Sequence, residues 1–433
     1  MAKSLAVFME FITKKQSAVS RTSLAILTAW MFFLLCYISR VEPSVIANEL
    51  MESFGITASR FGLVSSCLYI TYVAMQIPTG VLLDKYGPRA IISIGAITSA
   101  VAVYLFGSAQ SILQLQLGRL LLGVATASGF IGCTKLINEL IHPKKYALFV
   151  GLTMFMGCIG GICGSAPTAW MVARVGWRET TFVIAGLGVL ISALAFFCMP
   201  SFKSSPRGEK NAGNMLDGLR ILAKNYRYWA LGILCAISYL PITAVAELWG
   251  VPFMEKKFAL STANAALSSI FIFVGYGIGS ICTPCLARCW NSCKKVLLIF
   301  TVLTILVFLP IICVDSLSFR QCIFLLFLFG VFGGTVPLFF TMAYNMVPSQ
   351  YGGSSSGFTN MLNMSGAIIF QPLLGGLLDY FRSRYGDPAN PDGTPIYTLA
   401  MYNNAFSVVC WCMALSVLLL LFIKDVRRQE ISS

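Results

Sequence analysis

One short polar stretch stands between two long apolar runs of the chain: Gly80-Val-Leu-Leu-Asp84-Lys85-Tyr-Gly87-Pro-Arg89. The apolar runs centre on residues 61–82 and 90–107, and each is long enough to cross a lipid bilayer as a helix. Because a charge is costly inside hydrocarbon, we expect the charged stretch to lie at a membrane surface. The pattern therefore predicts two membrane-spanning helices joined by a tight, charged turn.

The rest of the chain repeats this alternation of long apolar runs and short polar connections. The other apolar runs centre on residues 24–46, 112–137, 147–172, 181–199, 228–251, 265–285, 296–314, 319–346, 357–378 and 398–423. We therefore predict an all-α membrane protein with twelve transmembrane helices. The predicted divisions are a cytoplasmic N-terminal segment (1–21), a six-helix bundle (22–200), a cytoplasmic linker (201–227), a second six-helix bundle (228–423) and a cytoplasmic tail (424–433).

The composition agrees with this prediction. Of 433 residues, 57% are hydrophobic and 11% are charged, whereas about a quarter of the residues in an ordinary soluble protein are charged. A chain this apolar must use lipid as its solvent, which excludes a soluble enzyme. The sequence also shows no convergent Ser/His/Asp set and no nucleotide-binding P-loop, so we expect neither an enzyme nor an ATP-driven pump.

Fifteen cysteines raise the question of a metal site. Most of them are scattered singly through the apolar runs, where cysteine behaves as a small hydrophobe. The most tempting cluster is Cys282, Cys285, Cys289 and Cys293, but its first two members lie inside an apolar run rather than in the paired turns of a zinc site. We therefore expect neither a metal nor a cofactor.

The formal net charge of +14 comes from 31 Lys and Arg residues against 17 Asp and Glu residues. Most of the basic residues fall on the side of the membrane that also holds both chain ends, and the positive-inside rule assigns this side to the cytoplasm. We expect a multi-pass protein of a bacterial inner membrane with both termini cytoplasmic. No nucleic-acid partner is expected, because no polar domain offers a basic face.

The two sets of six runs resemble each other. Phe54-Gly-Ile-Thr-Ala precedes the second run of the first half, and the similar Phe258-Ala-Leu-Ser-Thr precedes the second run of the second half. An internal repeat of six spans implies two pseudo-symmetric bundles that face each other across a central cavity, which is the layout of a secondary transporter.

The polar stretch that begins at Gly80 resembles the signature loop of the major facilitator superfamily, although Pro88 stands at a commonly basic position. Further short matches to this family are Gly118-Arg119-Leu-Leu-Leu-Gly123, Gly176-Trp177-Arg178-Glu179-Thr180, Glu247-Leu-Trp249-Gly250-Val-Pro252, Asn360-Met-Leu-Asn363, Gln371-Pro372-Leu-Leu-Gly375 and Leu378-Asp379. With Arg40-Val-Glu-Pro43-Ser44 and Tyr69-Ile-Thr-Tyr72, the chain resembles the branch of phagosomal nutrient transporters of intracellular bacteria, near the anion:cation symporters.

This resemblance implies the major facilitator fold and transport by alternating access, with proton-coupled import of an amino acid or another small zwitterion as the leading hypothesis. The alternative is a transporter or exchanger of organic anions or phosphate esters, which would place basic residues from both halves in the cavity. A transporter-fold nutrient sensor comes third, because no soluble signalling domain is present. The expected partners are a small-molecule substrate, protons and the lipid bilayer, and we expect a monomer.

Three ionisable residues fall inside predicted spans and are candidate substrate ligands, because such residues are costly in a membrane. They are Arg40 in the first run, Arg119 in the fourth and Glu247 in the seventh. Arg40 could hold a carboxylate with its planar fork while Glu247 accepts the ammonium group of a zwitterion. The competing interpretation is that Arg40 pairs with Glu42, or Arg119 with Glu247, and only holds the structure together.

A carboxylate in a partly dry cavity takes up a proton readily, so Glu247 is also the first candidate for proton coupling. Glu42 is the second, unless it simply faces the outer solvent. The remaining candidates for substrate binding share inward-pointing helix faces: Tyr69, Tyr72, Gln76, Asn360 and Asn363. These faces could line either the cavity or a contact between helices.

We predict that the charged stretch forms a gate on the cytoplasmic side. The predicted gating residues are Gly80, Asp84, Lys85, Gly87 and Arg89 of the stretch, with Lys135 and Glu139 one helical turn apart in the fourth run. We expect Arg89 to bridge to Glu139 when the protein is closed to the cytoplasm, the alternative being an ordinary interfacial salt bridge. The matching loop of the second half, residues 285–295, has no carboxylate, so only the first-half loop is expected to be charged in the usual way.

Overall fold

A computed structural model describes residues 2–201, 220–348, 351–391, 393–423 and 425 of the chain. Eleven helical stretches among these residues are long and apolar enough to cross a membrane. One of them, Ala58–Gly107, has 50 residues, which at 1.5 Å per residue is about 75 Å, more than twice the ~30 Å thickness of the hydrocarbon layer. Gly87 interrupts its helical backbone with φ 76° and ψ 164°, so this stretch comprises two spans. The predicted twelve-span, all-α fold is confirmed.

We number the spans in chain order. They are span 1 (Ala2–Val45), spans 2 and 3 (Ala58–Gly107), span 4 (Ile112–Thr126 and Ser128–Leu140), span 5 (Pro143–Gly164 and Ala166–Val175), span 6 (Trp177–Cys198), span 7 (Tyr226–Ser238, Pro241–Trp249 and Gly250–Phe258), span 8 (Thr262–Cys289), span 9 (Cys293–Cys313), span 10 (Phe319–Gly333 and Val336–Asn345), span 11 (Gly352–Arg384) and span 12 (Leu399–Phe422). A short helix, Ala47–Phe54, follows span 1. We call the membrane side of Gly87 the near side, which is the predicted cytoplasmic side, and the opposite side the far side.

The predicted polar segments are described only in part. Residues 202–219 of the predicted linker, and residues 424 and 426–433 of the predicted tail, lie outside the described residues. The predicted N-terminal segment 1–21 leads into span 1 within the helix Ala2–Val45.

Glycines bring matching spans of the two halves into backbone contact. A Cβ atom on Gly123 of span 4 would lie 2.0 Å from the carbonyl oxygen of Leu68 in span 2. A Cβ atom on Gly330 of span 10 would lie 2.2 Å from the carbonyl oxygen of Ile272 in span 8. Leu68 and Ile272 are separated by the same number of residues as Phe54 and Phe258, the starts of the repeated sequence. The two halves therefore repeat one close helix crossing, as expected for pseudo-symmetric bundles.

The two halves meet along spans 2 and 11, along spans 5 and 8 and along spans 1 and 7. A Cβ atom on Gly62 of span 2 would lie 2.7 Å from the carbonyl oxygen of Gln371 in span 11. The rings of Phe61 in span 2 and Trp249 in span 7 meet edge to face, with 5.5 Å between their centroids. These contacts lie in the far-side parts of their spans, so they close the protein on the far side.

We expect the substitution Gly123→Ala to lower the thermal stability of the purified protein, because the new methyl group would press against the backbone of span 2. Overpacking of this kind costs about 1–3 kcal/mol. The measurement is thermal unfolding in detergent, followed by intrinsic fluorescence. Gly186→Ala in span 6 is the matched control, because no described atom lies within 4 Å of a Cβ added there. Equal melting temperatures for the two variants would contradict the close crossing of spans 2 and 4.

Candidate functional site

A buried ion pair joins the two halves in the interior of the protein. Nη1 of Arg40 in span 1 lies 4.0 Å from Oε1 of Glu247 in span 7, and the two side chains are 4% and 0% exposed. The sequence places these residues in different halves, far apart along the chain. The structure brings together the two opposite charges that were predicted to bind a zwitterion.

Glu247 projects from an irregular part of span 7. Residues Pro241–Trp249 form a π-helix between two α-helical segments, and its first residue, a proline, cannot donate the backbone hydrogen bond of a regular helix. Such π-helical turns often occur at functional sites. Gln371 of span 11 supports the segment, because its Nε2 donates to the carbonyl oxygen of Thr243 at 3.0 Å. The backbone carbonyl oxygen of Gln371 accepts a hydrogen bond from Nε1 of Trp249 at 3.1 Å.

Three tyrosines surround the guanidinium group of Arg40. Its Cζ lies 4.7 Å from the ring centroid of Tyr37, 5.2 Å from that of Tyr72 and 5.5 Å from that of Tyr69. The hydroxyl of Tyr69 also donates a hydrogen bond to Oε2 of Glu247. Aromatic faces attract a cation, and more strongly where water is excluded. We refer to these five residues as the central site.

The central site has unused hydrogen-bonding capacity. Nε of Arg40 and Oε1 of Glu247 are buried and have no hydrogen-bond partner among the described residues. A separation of 4.0 Å between the charged atoms is too long for a hydrogen bond. A guanidinium and a carboxylate in this arrangement can each accept a ligand group of opposite charge, and such charge-assisted bonds are the stronger ones in proteins.

Arg119 lies beside the central site, but its guanidinium binds the protein backbone. Its Nη1 donates to the carbonyl oxygen of Ser39 at 2.8 Å, and its Nη2 donates to that of Ser65 at 3.4 Å. These bonds tie span 4 to spans 1 and 2. Within the described residues, Arg119 forms no ion pair with Glu247, which was one of the two interpretations considered.

Glu42 is buried in the first half and does not face outer solvent. Its side chain is enclosed, with 2% of the residue exposed, and its Oε1 accepts a hydrogen bond of 2.6 Å from the hydroxyl of Thr181 in span 6. In the described part of the chain, Glu42 and Arg40 do not form an ion pair. The carboxyl group therefore sits between spans 1 and 6, away from the contact of Arg40 with span 7.

The other predicted substrate ligands, Gln76, Asn360 and Asn363, lie outside the central site. Gln76 of span 2 is buried, and its Nε2 has no hydrogen-bond partner among the described residues. Asn363 of span 11 is buried with a similarly unpartnered Oδ1, whereas Asn360, one turn away, is half-buried. Both asparagines lie on the near side of Gly366, where spans 7 and 11 pack closely. No hydrogen bond joins them to Arg40 or Glu247 in the described part of the chain.

Sequence reasoning missed the tyrosines that extend the central site. Tyr37 precedes Arg40 by three residues, so the i, i+3 spacing was an available signal. Tyr239 of span 7 lies near Tyr37 of span 1, across the two halves. The ring of Tyr239 in turn lies 5.7 Å from that of Tyr276 in span 8. A row of tyrosines therefore runs from Arg40 into the second half.

The predicted gate has a different ion pair from the expected one. Lys135 Nζ lies 2.8 Å from Oδ1 of Asp84 and 3.6 Å from Oε1 of Glu139, so one lysine holds both acids. Arg89 instead lies over the ring of Phe196, 5.0 Å from its centroid. No Arg89–Glu139 bridge forms among the described residues in this conformation, which is closed on the far side. The bridge remains a prediction for the conformation closed to the cytoplasm.

The rest of the charged stretch shapes the turn between spans 2 and 3. Gly87 has a positive φ that favours glycine, Lys85 lies 5.1 Å from the ring centroid of Tyr86, and Gly80 is half-buried in span 2. In the second half, Asp425, which follows span 12, accepts a hydrogen bond from Ser292 of the matching loop. A serine hydroxyl is uncharged, so this contact does not test the expectation that only the first-half loop is charged in the usual way, which stays a prediction.

A metal centre has no support in the described part of the chain. No group of three or more His, Cys, Asp or Glu residues there could hold a metal ion. Cys282, Cys285 and Cys289 of span 8 are exposed on the helix surface.

Parts of the chain are similar to curated transporters. It is 32% identical over 177 residues to the probable sulfoacetate transporter SauU of Cupriavidus necator, covering 41% of this chain and 40% of that protein. It is 25% identical over 260 residues to a D-galactonate transporter of Escherichia coli O6:H1, covering 58% and 57%. The chain thus spans about half the length of these relatives. A longer match, 23% identical over 361 residues and covering 82% and 89%, is to multidrug resistance protein 1 of Bacillus subtilis.

Two solved structures share the fold at 14% sequence identity. The nucleoside transporter NupG superposes with a TM-score of 0.72, covering 92% of this chain and 99% of that one. An inward-facing, unoccupied bacterial homologue of the human lysosomal transporter Spinster gives a TM-score of 0.70, covering 93% and 95%. At this identity, the similarity concerns the fold alone.

The family model of the Major Facilitator Superfamily matches residues 25–371. The match runs from span 1 into span 11 and so includes spans of both halves, together with every residue of the central site and of the predicted gate. The finer resemblance to phagosomal nutrient transporters remains a prediction. The chain belongs to the Major Facilitator Superfamily, and it is a multi-pass membrane protein.

Proposed function

We propose that this transporter moves a small zwitterion, such as an amino acid, into the cytoplasm by alternating access and with the help of a proton gradient. The observation that carries the proposal is the buried Arg40–Glu247 pair, which links the two halves at 4.0 Å. A zwitterion offers a carboxylate to Arg40 and an ammonium group to Glu247, so each buried charge gains an opposite one.

The position of the Arg40–Glu247 pair between the two halves couples ligand binding to movement of the halves. Span 1 and span 7 belong to different halves, so a ligand between Arg40 and Glu247 contacts both at once. A ligand shifts a conformational equilibrium only by its differential affinity for the two states. A solute that replaces the direct Arg40–Glu247 attraction changes the interaction energy between the two halves. Alternating access requires such a change, because the halves must move relative to each other.

For a zwitterion, Glu247 has to stay ionised while it binds the ammonium group, because a neutral carboxyl group attracts a cation less strongly. The proton then needs a second carrier, and Glu42 is the candidate, since it is a buried carboxyl group with a single hydrogen bond from Thr181. Burial favours the protonated form of a carboxyl group. In this scheme, Glu247 binds the substrate and Glu42 carries the proton.

A second candidate function is transport of an organic anion. Two relatives are named as a probable sulfoacetate transporter and a D-galactonate transporter, and Arg40 offers a buried guanidinium in the central site. Both buried arginines belong to the first half, so an anion would be held by basic groups of that half alone. A substrate carboxylate and the Glu247 carboxylate would then compete for Arg40. Protonation of Glu247 frees the guanidinium, so Glu247 itself carries the proton. By linkage, anion binding at Arg40 and proton binding at Glu247 strengthen each other.

The substitution Glu247→Gln separates the two schemes. For a zwitterion it removes a charged ligand, and loss of a charge-assisted hydrogen bond of about 1.5–3 kcal/mol weakens binding roughly 10- to 150-fold. For an anion it imitates protonated Glu247, so binding survives and the dependence on the proton gradient disappears. The measurement is uptake into proteoliposomes, with and without an imposed proton gradient, of single amino acids, sulfoacetate and D-galactonate.

Glu52→Gln is the matched control for this experiment, because Glu52 is an exposed carboxylate on the short far-side helix. It should leave uptake unchanged. Gradient-driven amino acid uptake at the wild-type rate by the Glu247→Gln variant would contradict both schemes for Glu247.

The two buried arginines should respond differently to replacement by lysine. Arg40→Lys keeps the charge but loses the planar fork and the stacking on tyrosines, so we expect at least tenfold weaker substrate binding and a nearly unchanged melting temperature. Arg119→Lys should lower the melting temperature, because it weakens the hydrogen bonds to Ser39 and Ser65. Both variants are measured by thermal unfolding and by binding of the amino acid that is taken up best. A drop in stability for Arg40→Lys with intact binding would reverse the two roles.

A further inference from the structure

The pattern Gly-x-Leu-Leu-Asp occurs twice in the chain, as Gly80-Val-Leu-Leu-Asp84 and as Gly375-Gly-Leu-Leu-Asp379. The first copy lies at the near end of span 2, in the first half. The second copy lies toward the far end of span 11, in the second half. The same glycine and acid, four residues apart, are thus found at opposite membrane surfaces and in opposite halves. Only the first copy belongs to the predicted gate.

Asp379 caps the first turn of span 2. Its Oδ2 accepts a hydrogen bond from the backbone N–H of Ser59 at 3.0 Å, and its Oδ1 accepts one from the N–H of Ala58 at 3.2 Å. Thr57 occupies the N-cap position but makes no side-chain capping bond. The first N–H groups of a helix have no partner within the helix, and a carboxylate is favoured there. An acid from the second half therefore supplies the cap that the first half lacks.

Tyr397, just before span 12, completes this contact. Its hydroxyl donates to Oδ1 of Asp379 at 2.5 Å and accepts a hydrogen bond from the N–H of Ala58 at 2.8 Å. Burial and the bond to the carboxylate raise the pKa of Tyr397 above its usual value, so the hydroxyl keeps the proton that it donates. Tyr397 therefore bridges Asp379 and the first residue of span 2.

The glycine of the second copy is what allows the contact. A Cβ atom on Gly375 would lie 2.2 Å from the carbonyl oxygen of Ala58, so any larger residue would push span 11 away from span 2. Gly62 makes a similar approach to the backbone of Gln371 one turn further into the membrane. Spans 2 and 11 therefore meet backbone to backbone at the far side, and Asp379 lies at the outer end of this contact.

We propose that Asp379 is the latch that holds the far side closed, and that it alternates with the near-side copy of the same pattern. In this conformation, Asp379 binds across the two halves, whereas Asp84 is held by Lys135 of its own half. When the far side opens, spans 2 and 11 must part there, and the N–H groups of Ala58 and Ser59 lose their acceptor. This inference concerns the opening of the fold and does not depend on the identity of the substrate.

The test is hydrogen–deuterium exchange of the full-length protein in lipid nanodiscs, comparing the wild type with Asp379→Asn. We expect the amides at the start of span 2 to exchange several-fold faster, because asparagine keeps only one of the two acceptor oxygens and lacks the negative charge that is favoured at a helix start. We also expect peptides of the far-side interface, around Phe61 and Trp249, to gain exchange, while near-side peptides around Asp84 and Glu139 lose it. The opposite changes on the two sides report a shift toward the far-side-open state.

Two further variants make the test specific. Asp387→Asn is the control, because Asp387 lies on the same side with a 63% exposed side chain and pairs with Arg382 at 2.6 Å. This variant should leave exchange at the start of span 2 unchanged.

Tyr397→Phe keeps the ring and removes only the hydroxyl, so it should act in the same direction as Asp379→Asn but more weakly. The Tyr397→Phe variant also tests the proposal if the Asp379→Asn variant fails to fold. Faster exchange confined to the first turn of span 2, with no change on the near side in either variant, would overturn the proposal.

Discussion

The structure depends on the cost of leaving a polar group unsatisfied in a medium without water. Inside a bilayer, each backbone N–H and C=O must find a partner within the protein, and each charge needs an opposite charge or several dipoles. Helices satisfy the backbone, which explains why the spans are helical. The buried charges are satisfied across helices: Arg40 and Glu247 pair with each other, Arg119 binds backbone carbonyls, and Glu42 accepts from a hydroxyl. These three arrangements determine which contacts can be exchanged for a ligand.

Two of the four groups are satisfied inside one half. Arg119 is bound by backbone carbonyls of spans 1 and 2, and Glu42 by a hydroxyl of span 6, so both remain satisfied when the halves move. Arg40 and Glu247 depend on each other across the interface. A movement of one half against the other therefore changes this pair, and it leaves the contacts of Arg119 and Glu42 intact.

Much of the fold could be predicted from the sequence, because it follows from local composition. Apolar length predicts the spans, and Gly87 marks the turn that divides a 50-residue helical stretch in two. The meeting of Arg40 with Glu247 was also predictable in outline, since charges inside spans have few ways to be compensated. The partners of Glu42 and Arg119 were not, because Thr181 and the carbonyl groups of Ser39 and Ser65 carry no sequence pattern that distinguishes them from other polar groups.

The contacts of the predicted gate and of Asp379 on the far side could not be predicted from the sequence for a similar reason. Lys135 and Glu139 were predicted as neighbours from helical spacing, but the choice of Lys135 over Arg89 as the partner of the acids depends on how spans 2, 4 and 6 pack. Asp379 and Tyr397 reach the start of span 2 from more than three hundred residues away. Spacing along one helix is visible in a sequence, whereas contacts between helices depend on crossing angles that no short motif records.

The π-helix of span 7 has a consequence for how Glu247 can move. A π-helical turn contains more residues than an α-helical turn, so a change of Pro241–Trp249 to α-helical hydrogen bonding by one residue would rotate the following part of span 7 by about 100°. Such a register change needs no hinge, and it breaks only a few backbone hydrogen bonds at a time. The backbone of span 7 is therefore irregular at the residue that meets Arg40, and the side-chain amide of Gln371, bound to the carbonyl oxygen of Thr243, holds it in the present register.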